Sequence, residues 1–271
     1  MSSTPGILAS RKRAKRKKLF LRLALLSFSA FSIIFAAAFF FFRAEKFRIT
    51  EIKISGLENI SEEEIRKEAE SFLSANILKV FPANNFFLFS EKKTQDKFLA
   101  KFTRAVSVSV EKDYPSSLSI NIEERSPVAL FCEAGGKECF FADNTGYIFE
   151  KAPFFSAGVF LKFFDERTAE NLSVGKTLLE REEFEKMIGF ARRISNSVFP
   201  ICEIHFVKDG VCEFWDEDGV KIIINEKDDF NLIFANLETA FSEIFEKEKK
   251  TAKDAEYIDL RFGNKVFFKW K

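Results

Sequence analysis

Residues Leu23 to Phe42 read LALLSFSAFSIIFAAAFFFF, an almost unbroken apolar run behind the basic stretch RKRAKRKK of Arg11 to Lys18. About 20 helical residues rising 1.5 Å each cover the roughly 30 Å hydrocarbon core of a bilayer, so this segment is long enough to span once. Nothing later in the chain is comparable. Lys and Arg close to a span stay on the cytoplasmic side, which places the N-terminus inside and everything after Arg43 outside. Arg22 marks the inner boundary, where its stem can bury while its guanidinium reaches the headgroups. A cleaved signal peptide is the rival reading, because Ala36 to Ala38 are small enough for a peptidase. Cleavage there would leave Phe39 to Phe42 as a new N-terminus, and the length of the run favours an uncleaved anchor.

Eight of the 42 Lys and Arg precede Arg43, which leaves 34 against all 41 acidic residues in the outer part. A mildly acidic outer part argues against a nucleic-acid binder, so the basic run reads as a topology signal. Residues 43–271 are too many for one small module and suit two domains. The chain has 37 Phe residues, and most of those beyond the span fall at core positions of strands or helices.

The first stretch, Phe47 to Glu124, reads strand, helix, helix, strand, strand. Ile52 and Ile54 alternate with polar neighbours until Gly56. Ser61 and Glu64 form a capping box, and Ile65, Ala69, Phe72 and Leu73 share one helix face. A second helix runs from about Ser90 to Phe102 with Phe98, Leu99 and Phe102 buried. Val106, Val108 and Val110 alternate, Asp113 to Pro115 turn the chain, and Leu118, Ile120 and Ile122 alternate again. One helical layer over three strands follows.

Beyond Arg125 short strands dominate. Pro127 to Glu133 and Lys137 to Ala142 flank the hairpin signal Gly135-Gly136. Strands follow at Tyr147 to Lys151 and Val159 to Phe163, then a helix from Leu179 to Ser195. Cys202 to Val207 pairs with Val211 to Trp215, and Val220 to Ile224 continues the sheet. A longer helix runs from Asp228 to about Glu248, ending in the charged run Glu246 to Lys250. Tyr257 to Arg261 and Val266 to Trp270 are the closing strands.

At Tyr114-Pro115, the alternating strand Leu118 to Ile122, Glu124-Arg125 and Pro127-Val128-Ala129, the chain resembles the bacterial division proteins FtsQ and DivIB, at their junction between a POTRA domain and a β domain. Ile52-x-Ile54-x-Gly56, Asp143-x-x-Gly146-Tyr147 and Tyr257-Ile258-Asp259-Leu260-Arg261 agree in order, and the resemblance covers about Phe47 to Lys271. It implies an α+β protein with a basic cytoplasmic tail (1–18), a single transmembrane helix (19–42), a β-α-α-β-β POTRA domain (47–124) and a mainly antiparallel β domain with two helices (125–271). Asn225 and Asn231 depart from the family pattern.

No catalytic, cofactor or metal site emerges from the residues. His205 is the only His, which excludes most His-based metal sites and triads and leaves a structural strand residue. Gly175-Lys176-Thr177 imitates a phosphate loop but has Glu170 where that loop needs Gly. Glu123-Glu124 and Asp228-Asp229 are adjacent pairs, which read as surface solvation. If Gly135-Gly136 is the turn, Cys132 faces Cys139 closely enough for a disulfide, with two buried thiols as the alternative; Cys202 and Cys212 are out of register for one.

The terminal segment is the sharpest interaction candidate. Phe262, Asn264, Val266, Phe268 and Trp270 fall on one side of an extended strand, and Lys265, Phe267, Lys269 and Lys271 on the other. A final core strand is the plain alternative. The family resemblance implies partner binding here, by strand addition involving Tyr257, Leu260, Arg261, Phe262, Asn264, Val266, Phe268 and Trp270, with FtsB- and FtsL-type proteins as partners. It implies a non-enzymatic scaffold in the inner membrane at the division septum, with no small-molecule substrate. Other readings are an envelope enzyme acting on peptidoglycan, for which no site is visible, or a POTRA-type transport or chaperone module, for which no β-barrel follows.

Overall fold

The computed structural model describes residues 6–77, 81–155, 158–167, 172–245 and 251–271. Glu170 and the charged run Glu246 to Lys250 lie outside the described residues. The chain divides into two compact units, residues 1–101 with 107–123, and residues 102–106 with 124–271.

The first unit begins with one long helix, α1 (Gly6–Arg43). Residues 18–43 of it are apolar enough and long enough to cross a membrane, with a mean hydropathy of 2.3. The helix starts ahead of the basic run and not after it, so the expected tail is helical from Gly6 onward. After α1 come β1 (Glu51–Ser55), α2 (Glu62–Ser74), the short β2 (Asn76–Ile77) and β3 (Phe81–Pro82), α3 (Glu91–Lys101), β4 (Ala105–Asp113) and β5 (Ser117–Glu124). The sheet order is β1-β5-β4, with β1 parallel to β5 and Ile52 beside Leu118. Ile65 and Ala69 of α2, Phe98 of α3, and Leu118, Ile120 and Ile122 of β5 are all buried. Gly56 has φ 81°, and a β-carbon there would overlap the carbonyl oxygen of Ile122, so only Gly lets β1 end against β5.

Three details depart from the sequence pattern. Ser61 caps α2 without its side chain; its carbonyl accepts the N–H groups of Glu64 and Ile65, and the capping box does not form. Leu99 is 38% exposed, leaving Phe98 and Thr94 as the buried face of α3. Val106 is 45% exposed while Ala105 is buried, because the in-out alternation of β4 slips once before Val108.

The second unit is built on a nine-stranded sheet. Its strands are β6 (Ala129–Cys132), β7 (Cys139–Ala142), β8 (Ile148–Lys151), β9 (Leu161–Asp165), β10 (Glu203–Val207), β11 (Val211–Trp215), β12 (Lys221–Asn225), β13 (Ala255–Phe262) and β14 (Lys265–Trp270). The order is β14-β13-β12-β11-β10-β9-β6-β7-β8. Hairpins supply the antiparallel pairs, but β6 to β9, β9 to β10 and β12 to β13 are parallel. Parallel neighbours need a crossover, and α4 (Arg181–Ser197) and α5 (Phe230–Ala240) provide the last two. Asp229 caps α5, its carboxylate accepting from Asn231 N at 2.9 Å and Leu232 N at 3.5 Å.

Both helices cover one sheet face. Phe184 of α4 sits at the centre, its ring 5.3 Å from Phe163 and 5.8 Å from Phe131. The ring also packs over Gly146, whose φ of 78° and missing side chain admit it. The β6-β7 turn spans more than two residues, since Gly136 N donates to Glu133 O and Glu133 N to Glu138 O. The symmetric lengthening keeps Cys132 opposite Cys139, and the structure joins them in a disulfide with Cα atoms 4.0 Å apart. Cys202 and Cys212 are free thiols.

The motif pieces around Arg125 meet in space. Arg125 forms an ion pair with Asp143, donates from Nε to Thr103 O at 3.1 Å and lies 4.2 Å from the Tyr147 ring centre. Asp143 is buried, and its Oδ1 also accepts from Thr145 N, Thr145 Oγ1 and Tyr147 N. Burial opposes its charge, but the Thr145, Arg125 and Tyr147 donors outweigh that and hold its pKa below the usual carboxylate value. Arg104 completes the network with Glu124 and Glu150. Replacing Arg125 by Met strands a buried carboxylate, and denaturant titration should show a loss of about 3 kcal/mol.

Candidate functional site

The terminal segment is a hairpin and not one extended strand. Phe262 ends β13, Gly263-Asn264 form the turn, and Phe262 pairs with Lys265. Gly-Asn between two alternating runs is itself a turn signal, legible in the sequence. Consequently Phe262 and Asn264 do not share a strand with Val266, Phe268 and Trp270. The β14 strand is outermost in the sheet, the position at which a further strand can be added.

The two sides of the hairpin differ. Val266, Phe268 and Trp270 are half-buried and lean on the core under α4 and α5, with Phe268 and Trp270 stacked 5.6 Å apart. Leu260 is 2% exposed and belongs to that core, so it offers no direct contact to a partner. The opposite side carries Tyr257, Asp259, Arg261, Phe262, Phe267 and Lys269. Phe262 and Phe267 are 55% and 48% exposed and meet edge to face at 5.2 Å. Phe267 and Lys269 were absent from the sequence-based set because the turn reassigns the sides.

Charge holds this side in place. Asp259 accepts from Arg261 N at 3.1 Å, Nε at 2.9 Å and Nη2 at 2.6 Å, and Lys269 reaches Glu256 at 2.8 Å. The Asp259 hydrogen bonds hold the Arg261 pKa above its usual value. The α5 helix is tied to the turn through Asn236 Nδ2 and Gly263 O at 2.9 Å. The two family departures have structural work: Asn225 Nδ2 donates to Asp228 Oδ2 at 3.0 Å and Arg261 O at 3.4 Å, and Asn231 Oδ1 accepts from Arg193 at 2.7 Å.

On that same sheet face, over β6, β9 and β10, lies a cavity of about 580 Å³ lined by Leu130, Lys151, Phe154, Phe164, Glu203 and His205, among others. His205 stacks on Phe164 at 4.5 Å, with Glu166 3.0 Å from Nδ1 and Glu203 3.1 Å from Nε2. Two carboxylate partners require an N–H on both ring nitrogens, which only the imidazolium has. Burial opposes the charge, but Glu203 and Glu166 outweigh it and raise the pKa above 6.5. The sequence could not place Glu166 there, because it follows a different strand.

Other sequence candidates resolve into structure. Gly175 N donates to Ile148 O and Lys176 O accepts from Ile148 N, so this stretch pairs along β8. Glu124 is buried against Arg104 and Asp229 caps α5, so neither belongs to a merely solvated pair. Burial, with Glu203 second, pushes the Cys202 thiol up to about 11, and burial also raises Cys212, so neither thiolate is abundant near neutrality. Among the described residues no group of three or more His, Cys, Asp and Glu could hold a metal ion.

Residues 47–125 match the family of the POTRA domain, FtsQ-type. This domain behind an N-terminal apolar helix fits an FtsQ/DivIB-type protein. The match ends at Arg125, so the hairpin lies outside the matched domain. No curated protein matches the chain. The FtsQ-type POTRA domain supports a divisome-associated protein, its family is generally non-enzymatic, and the apolar helix fits a single-pass membrane anchor.

A group whose pKa is raised by folding contributes stability that is complete below its unfolded value and is lost as pH rises through the folded value. Thermal unfolding should therefore show stability falling as pH climbs from 6.5 through the raised His205 value. In His205→Gln that slope should flatten.

Proposed function

We propose that this protein is a non-enzymatic, membrane-anchored divisome scaffold that recruits FtsB- and FtsL-type proteins to the septum by strand addition at β14. Its N-terminus is cytoplasmic and the chain beyond α1 lies outside, as the basic run in the first part of α1 favours. The observation that carries this reading is the outermost position of β14 in a sheet whose edge hairpin exposes the aromatic pair Phe262 and Phe267. A partner strand would gain main-chain hydrogen bonds from the edge and aromatic contacts from this pair.

Removing Val266 to Lys271 is a poor test, because Val266, Phe268 and Trp270 pack on the core. The exposed pair allows a cleaner one. Binding of the FtsB- and FtsL-type proteins from the same envelope should weaken roughly 30-fold in Phe262→Ala and in Phe267→Ala, as for a hot spot of about 2 kcal/mol. Melting temperature should stay near that of the parent. Unchanged affinity in both variants would remove the hairpin from the interface.

A further inference from the structure

The end of α1 is bound into the first unit by aromatic rings. The Phe41 ring lies 5.0 Å from Phe47 and 5.6 Å from Phe87, and Phe47 lies 5.3 Å from Phe87. On either side of Phe41 in sequence, Phe39 and Phe42 both meet Phe81, at 6.2 Å and 5.9 Å. Polar contacts fix the same joint. Asn85, fully buried, donates from Nδ2 to Phe42 O at 2.9 Å, where the helix leaves a carbonyl without an intrahelical partner. Phe86 N donates to Phe47 O at 2.8 Å and Ile49 N to Asn84 O at 2.7 Å.

Topology brings a second element to this end. The β1 strand leaves α1 and runs parallel to β5, so Ser117 at the start of β5 lies beside Glu51. The β4-β5 turn at Tyr114 therefore sits at the α1 end of the unit. Tyr114 is 66% exposed and its ring lies 5.8 Å from Phe86, which in turn lies 5.6 Å from Phe87. Lys112 is above the Phe86 ring at 5.5 Å, and the Arg43 guanidinium above Phe39 at 5.0 Å.

This continuous aromatic surface stays open: Phe41 is 46% and Phe87 49% exposed. Its occupant follows from covalent continuity. Phe41 belongs to the final turn of the apolar segment, and a ring in van der Waals contact with it shares its depth. A bilayer thick enough for α1 ends at this level, where aromatic rings are favoured and basic groups meet lipid phosphates.

We propose that Phe47, Phe87 and Tyr114 seat the first unit in the headgroup layer of the bilayer, making that unit a peripheral membrane-binding module as well as a domain on a tether. This rests on α1 being a membrane anchor. The test uses the full chain with Trp215 and Trp270 replaced by Phe and one Trp restored at a time, in phosphatidylcholine vesicles containing brominated lipid. F87W and Y114W should each lose emission most strongly to lipid brominated high in the acyl chain. F31W, in the middle of the apolar run, should lose it most strongly to deep bromines. L57W reports the far end of the unit, since β1 carries the chain about 16 Å away from α1, and it should keep its emission. Emission like that of L57W at either position 87 or 114, with F31W quenched, would overturn the proposal. An unquenched F31W would instead overturn the anchor itself.

Discussion

The guanidinium of Arg125 is where the second unit is pinned together. It satisfies the buried Asp143 carboxylate, caps the Tyr147 ring and takes the carbonyl of Thr103, so one side chain joins the residues leading into β6 to the turn between β7 and β8. A buried carboxylate is costly unless its charge is matched and its lone pairs are filled. Here Thr145 and Tyr147 fill what Arg125 does not. The turn can then deliver Gly146 to the one place where the Phe184 ring needs an absent side chain. From there the aromatic core of Phe131, Phe163 and Phe184 is built outward along the sheet.

Much of the architecture was legible because its signals are local. The apolar run, the alternation in β1 and β5, the apolar faces of α2, α4 and α5, and the Phe206 to Cys212 register all follow from periods of 3.6 or 2 read over a few residues. What escaped depends on contacts between distant segments. The parallel β9-β10 and β12-β13 pairs each enclose a helix, a crossover pattern visible in the sequence, but that pattern does not say which strand the second one joins. His205 between Glu166 and Glu203, and Arg125 on Asp143, need the fold before they are neighbours. The hairpin at Gly263-Asn264 is different: its turn signal was present, and missing it put Phe262 on the wrong strand.

The sheet has two chemically distinct faces. Under α4 and α5 it is apolar, with Ile204, Phe206, Phe214, Ile222 and Ile258 buried. The other face carries ion pairs across neighbouring strands, Lys162 to Glu203 at 3.4 Å and Lys221 to Glu213 at 2.7 Å, with a smaller apolar cluster at Leu130 and Phe164. Pairs that retain solvent access contribute little net stability. Their effect is on register, because sliding a strand by one residue would exchange these charges with the apolar face.

The order of strands in the sheet has a temporal consequence. The β13 strand docks beside β12 after the α5 crossover, and β14 pairs only with β13, so the outer hairpin depends on β12 being in place. Contacts that close long loops are late events in folding. A chain that stops or unfolds before β13 would therefore lack this edge altogether, so the β14 edge is exposed only by molecules whose outer sheet has formed.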